Sequence, residues 1–103
     1  MTSGIGSLSF SKRSDVPTMH TTYSISKAAL NMLTVHQACD LGKDGRGVIV
    51  VCMDPGWVKT RMGGEGAIME KGDSVNGMLK CLRGLKEEDS GRFWNSSGEE
   101  VPW

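Results

Sequence analysis

Tyr23 and Lys27 stand four residues apart where a helical pattern begins, a spacing that puts both side chains on one face. A cation beside a phenol favours the phenolate and eases proton exchange at neutral pH, so the pair could serve as a general acid or base. The same spacing also describes an ordinary contact on a helix surface, and alone it leaves both readings open. The other reactive groups make weaker cases. His20 and His36 have no carboxylate or second ligand at a motif spacing and read as polar or packing residues. Cys39, Cys52 and Cys81 are odd in number, far apart, and without a CxxC pair or a His-rich neighbourhood. They read as reduced packing residues, so neither a disulfide framework nor a metal site is expected. The seven methionines are spread along the chain, and those in the two helices read as core filler rather than a cofactor box. Lys12 and Arg13 read as a mobile surface loop, and Lys86, Glu87, Glu88 and Asp89 as a solvated helix end.

The elements that must position Tyr23 and Lys27 follow from periodicity. Residues 4–20 are rich in Gly, Ser and Thr, include Pro17, and hold neither helical nor strand period, which predicts an irregular segment. From about Thr22 to Leu41, Ala28, Ala29, Leu30, Met32, Leu33, Ala38 and Leu41 recur at helical intervals in a wide stripe, which predicts a helix buried on more than one side. Gly42, Gly45 and Gly47 should end it, with Lys43 and Arg46 favouring the negative end of its dipole. Val48 to Met53 is a continuous apolar run rich in β-branched residues, the pattern of a central parallel strand covered on both faces. A glycine-rich loop runs from Asp54-Pro55-Gly56 to Gly66. A second helix is expected from Asp73 to Leu85, carrying Val75, Met78, Leu79, Leu82 and Leu85, and a short strand near Arg92 to Asn95. The fold class is therefore α/β, and the Val48 strand suits the middle of a wider sheet. Association with another chain, or marginal stability alone, is the expected consequence.

Composition bounds the rest. Twelve Lys and Arg balance twelve Asp and Glu, so no whole-chain field exists to attract nucleic acid or an anionic membrane. Neither a leader pattern nor a long apolar run is apparent, and the chain reads as soluble and cytoplasmic. Hydrophobic residues make up 38% and fourteen glycines lie outside that count, which together come near the half usual for globular domains. At 103 residues one domain is expected, burying roughly 65% of its unfolded surface with a thin stability margin.

The residues around Tyr23 sharpen the chemistry. Tyr23-Ser-Ile-Ser-Lys27-Ala-Ala-Leu-Asn-Met-Leu-Thr resembles the active-site helix of the short-chain dehydrogenase/reductase family. Upstream, Ser3-Gly4-Ile5-Gly6-Ser7 is similar to that family's serine segment. Downstream, Asp54-Pro55-Gly56-Trp57-Val58-Lys59-Thr60 is similar to its PGxxxT segment. Ser90 to Asn95 and Val101-Pro102-Trp103 resemble the carboxyl end of its C-factor-like carbonyl reductases. The resemblance implies the carboxyl-terminal part of a Rossmann-like doubly wound parallel sheet, incomplete, with residues 1–103 a partial domain lacking the amino-terminal cofactor-binding βαβ unit. It also implies a catalytic triad of Ser3, Tyr23 and Lys27. Tyr23 and Lys27, the latter on the nicotinamide ribose, and Pro55, Gly56, Val58 and Thr60 along the nicotinamide and pyrophosphate side, would line an NAD(P) site. Gly4 and Gly6 precede no helical pattern and do not form the dinucleotide fingerprint, which makes cofactor binding by these residues alone an open question.

Two functions follow. One is NAD(P)-dependent carbonyl reduction or alcohol oxidation on a small molecule. The other is a truncated, non-catalytic fragment or pseudoenzyme that acts by association or signalling, as a homo-oligomer or with another chain of the family through the two long helices.

Overall fold

The computed structural model describes residues 1–13, 20–43 and 45–103. Pro17 and the rest of 14–19, within the segment expected to be irregular, lie outside the described residues, as does Asp44. The described elements are a 3-10 turn at Gly4–Gly6, helix α1 (Leu8–Ser11), helix α2 (Thr21–Lys43), strand β1 (Cys52–Asp54), helix α3 (Lys71–Gly84), a 3-10 turn at Glu87–Asp89 and strand β2 (Phe93–Asn95). The order is that of the carboxyl-terminal part of a Rossmann-like parallel sheet.

β1 and β2 are parallel, with Cys52 opposite Phe93, Met53 opposite Trp94 and Asp54 opposite Asn95. The pairing is carried backwards by Gly91 N donating to Val50 O at 2.7 Å and by Cys52 N donating to Arg92 O at 2.9 Å. On the opposite edge of β1, Thr2 N donates to Met53 O at 2.8 Å. Among the described residues β1 therefore has one strand partner, β2, and only the Thr2 bond on its other edge, fewer neighbours than its apolar composition implied. The ladder is shorter than the run from Val48 to Met53 implied, because a strand is defined by its partners. Among the described residues, Val48 is exposed and Ile49, Val50 and Val51 are half-buried.

Cys52, Phe93 and Val101 form the buried core, with Phe10 packed against them and the Trp103 ring 5.5 Å from that of Phe93. α1 corrects the irregular reading of residues 4–20. Ser7 caps it by accepting from Phe10 N at 3.1 Å, and Ser9 N donates to Trp103 O at 2.9 Å, so this one-turn helix is held from outside. α2 continues through Gly42, which is helical. The left-handed residues that turn the chain are Gly45 and Gly47, at φ of 62° and 65°. α3 stops at Gly84, and Lys86 to Asp89 form a separate turn in which Lys86 N donates to Asp89 Oδ2 at 2.8 Å. Cys52 is a core residue, whereas Cys39 is exposed and does not pack. No helix among the described residues is long and apolar enough to cross a membrane.

Candidate active site

The site gathers at the amino-terminal end of α2. Ser3 precedes the 3-10 turn in extended conformation and is half-buried, and its hydroxyl makes no hydrogen bond among the described residues. The turn is pressed onto α2: a Cβ on Gly6 would lie 2.7 Å from the Lys27 Cβ, so only glycine allows this approach. Thr2 Oγ1 donates to Asn31 Oδ1 at 2.5 Å, and Asn31 Nδ2 donates to Gly6 O at 3.4 Å. Thr2 and Asn31 are both buried, so these bonds lock the Ser3 turn to the helix two turns beyond Tyr23.

Tyr23 is 38% exposed and Lys27 is half-buried. The Lys27 ammonium sits 5.4 Å from the centre of the Tyr23 ring, over its face. The four-residue spacing therefore does bring the two together, but as a cation–π contact. Gly6 against Lys27 brings the Ser3 turn to the same end of α2.

The Pro55 to Thr60 segment leaves the carboxyl end of β1. Pro55 O accepts from the buried Ser74 Oγ on α3 at 2.7 Å, and Gly56 takes a left-handed conformation at φ 80°. Val58 forms a parallel bridge with Met69, in which Lys59 N donates to Met69 O and Met69 N to Trp57 O. Those bonds belong to the neighbours of Val58, and its own N–H has no partner among the described residues. Thr60 Oγ1 accepts from Gly63 N at 3.1 Å, Trp57 Nε1 donates to Gly63 O at 2.7 Å, and Lys59 pairs with Glu70. Residues 57–70 thus form a loop closed on itself.

Sequence reasoning missed three residues that hold these parts. Thr2 and Asn31 are polar residues in the interior, and periodicity carries no signal for them. Asp54 accepts from Gly4 N through Oδ2 and from Gly56 N through Oδ1, both at 3.0 Å. A signal existed there: a carboxylate ending a buried apolar strand must find donors. Neither histidine joins the site, and both are exposed. Burial raises the Cys52 thiol above the ordinary value, opposed by a hydrogen bond with Thr34 and by the terminal ammonium. Burial, then the Asp89 charge, raises Cys81.

The family model described as short chain dehydrogenase matches residues 9–71. C-signal of Myxococcus xanthus is 48% identical over 81 residues, covering 79% of this chain and 48% of that protein. A 1-hydroxy-2-glutathionyl-2-methyl-3-butene dehydrogenase of Rhodococcus sp. is 38% identical over 85 residues, with 79% and 37% covered. The NADPH-bound carbonyl reductase from chicken fatty liver superposes with a TM-score of 0.84 at 40% identity, over 99% of this chain and 40% of that one. The carbonyl reductase Sniffer of D. melanogaster gives a TM-score of 0.86 at 32% identity, over 100% and 39%. The chain spans about half the length of C-signal, and less of the other three. With its parallel β1–β2 pair and its helix order, this chain belongs to the short chain dehydrogenase family.

Proposed function

We propose that residues 1–103 carry the catalytic half of an NAD(P)-dependent oxidoreductase that interconverts a small carbonyl compound and its alcohol. The observation that supports this most directly is the convergence of the Ser3 turn, Tyr23 and Lys27 on one end of α2, fixed by the Gly6–Lys27 contact and the Thr2–Asn31 bond. In this reading the unengaged Ser3 hydroxyl bonds the substrate oxygen. Tyr23, 38% exposed, gives that oxygen its proton in reduction and takes it back in oxidation. Lys27 supplies positive charge beside the Tyr23 ring, and its flexible stem lets it turn toward a bound ribose.

The residues fit one side of the cofactor. The free Val58 N–H can donate to a carboxamide, and Thr60 Oγ1 accepts from Gly63 N, which leaves its own O–H to donate. Pro55 and Gly56 hold the turn that presents them. When bound, the nicotinamide supplies or accepts the hydride. The pyrophosphate side has no comparable donor set among the described residues: Gly4 N is committed to Asp54 and Gly6 N to Ser3 O. The carbonyl reductases among the similar structures support the substrate class.

Titration with NADPH and with NADH, alongside turnover of a panel of carbonyl substrates, tests the reading. Wild type should bind one cofactor saturably. Tyr23→Phe should retain that binding while turnover falls by about 10²- to 10⁴-fold. Absence of binding at millimolar cofactor would overturn the catalytic reading for these residues and leave the associating, non-catalytic one.

A further inference from the structure

We propose that Asp54 is a positioning residue that couples the Ser3 turn to the Pro55–Gly56 turn, so that the two sides of the site hold one geometry and move together. Its role in catalysis rests on the oxidoreductase reading above; the coupling itself does not.

The backbone makes such a residue necessary. Along the free edge of β1, Thr2 N donates to Met53 O, and the ladder then ends because the chain turns at Ser3. The next donor, Gly4 N, finds the Asp54 side chain and bonds Oδ2 at 3.0 Å. The other oxygen is committed locally: Oδ1 accepts from Gly56 N, two residues on, at 3.0 Å. That local bond fixes the carboxylate's rotamer and thereby aims Oδ2 at a residue fifty positions away in sequence. Ser3 is consequently clamped on both sides, through Thr2 to Met53 and Asn31 and through Gly4 to Asp54, while its hydroxyl stays unengaged. Gly56 begins the segment that leads to Val58 and Thr60, so one half-buried carboxylate joins the substrate-facing turn to the cofactor-facing one.

Chemistry selects a carboxylate for this task. Two backbone N–H groups converge on two oxygens, each an acceptor, and hydrogen bonds to an ionised group are among the stronger ones. An asparagine offers one oxygen and turns an NH2 donor toward the second N–H. The fit is also close: a Cβ on Gly4 would lie 2.9 Å from Oδ2, so a side chain there must push the carboxylate aside.

Proton–nitrogen correlation spectra of the full chain, without cofactor, read the coupling directly. In Asp54→Asn, the Gly4 or Gly56 amide should shift upfield and exchange with solvent roughly ten- to a hundredfold faster, the span expected for loss of a charge-assisted bond. Thr2 N, bonded to Met53 O, should stay in place as the internal control for folding. Gly4→Ala forces the carboxylate aside and should shift the Gly56 amide, and in the Asp54→Asn background it should no longer do so. A Gly56 amide that ignores Gly4→Ala, or Gly4 and Gly56 amides unchanged in Asp54→Asn, would overturn the proposal.

Where turnover is measured, Ser3→Ala should lower kcat with little change in cofactor KM, whereas Asp54→Asn should lower kcat and raise cofactor KM together. An Asp54→Asn variant that moves only one of the two also overturns the coupling. A chain that binds no nicotinamide would overturn the oxidoreductase reading and leave the amide result standing.

Discussion

The two faces of α2 are built in opposite senses. Its buried residues are Asn31, Thr34 and Ala38, two of them polar and one small. Its outward side carries Ile25, Met32 and Leu33, exposed by 65%, 61% and 52%. The polar inner face is specific. Asn31 bonds Thr2 and Gly6, Thr34 Oγ1 bonds Leu30 O at 2.8 Å, and Ala38 is small enough to meet Gly91. The apolar outer face carries area without geometry. The difference teaches that the site end of the molecule is fixed by directional bonds, while a large share of α2's hydrophobic surface is uncommitted among the described residues. This is the face on which the association expected from the sequence can be tested.

Substitutions on the two faces test that contrast. The largest effect belongs to Asn31→Ala, which strands the Gly6 carbonyl and leaves the buried Thr2 hydroxyl only its long, 3.5 Å bond to Lys27 O. Each group left unpaired costs about 1–3 kcal/mol, a large part of a small domain's stability, readable as a lower urea midpoint at unchanged slope. The neighbouring Met32→Lys should change stability by only about 0.5 kcal/mol or less in dilute solution. It should also weaken any rise of the melting temperature with protein concentration. A larger cost for Met32→Lys than for Asn31→Ala would reverse the comparison and place a fixed partner on the outer face.

The smallest effect concerns the thiols. Cys52 and Cys81 have folded-state values raised above the unfolded ones, so their contribution is fully present below the ordinary thiol value and is lost as pH rises through the raised values. Urea midpoints should therefore fall slightly from about pH 8 to about pH 10, and Cys52→Ala should flatten that slope. An unchanged slope in Cys52→Ala would remove the buried thiol from the pH dependence.

Much of this architecture was legible because it is local. The apolar spacing from Ala28 to Leu41 gave α2, the apolar run ending at Met53 pointed to β1 but not to its bounds of Cys52–Asp54, and the spacing of Val75, Met78, Leu79 and Leu82 gave α3. The Tyr23–Lys27 contact followed from helical geometry alone. What escaped depends on residues distant in sequence. α1 is too short to nucleate by itself and exists because the chain near Trp103 holds it. The apolar stripe of α2 was expected to be buried on more than one side, yet Met32 and Leu33 are exposed, and the buried Asn31 joins α2 to the Ser3 turn. Asp54 read as part of a turn signal, and its second oxygen serves a residue at the other end of the sequence.

The grip of α1 on the carboxyl-terminal segment bears on the order of assembly. Ser7 Oγ donates to Pro102 O at 2.5 Å, and the Ser9 amide and hydroxyl both donate to Trp103 O, across separations of 94 and 95 positions. On a ribosome, α1 would therefore be made more than ninety residues before the acceptors at Pro102 and Trp103 that hold it. Contacts of such long range are slow to close, so this corner should be among the last to settle during folding.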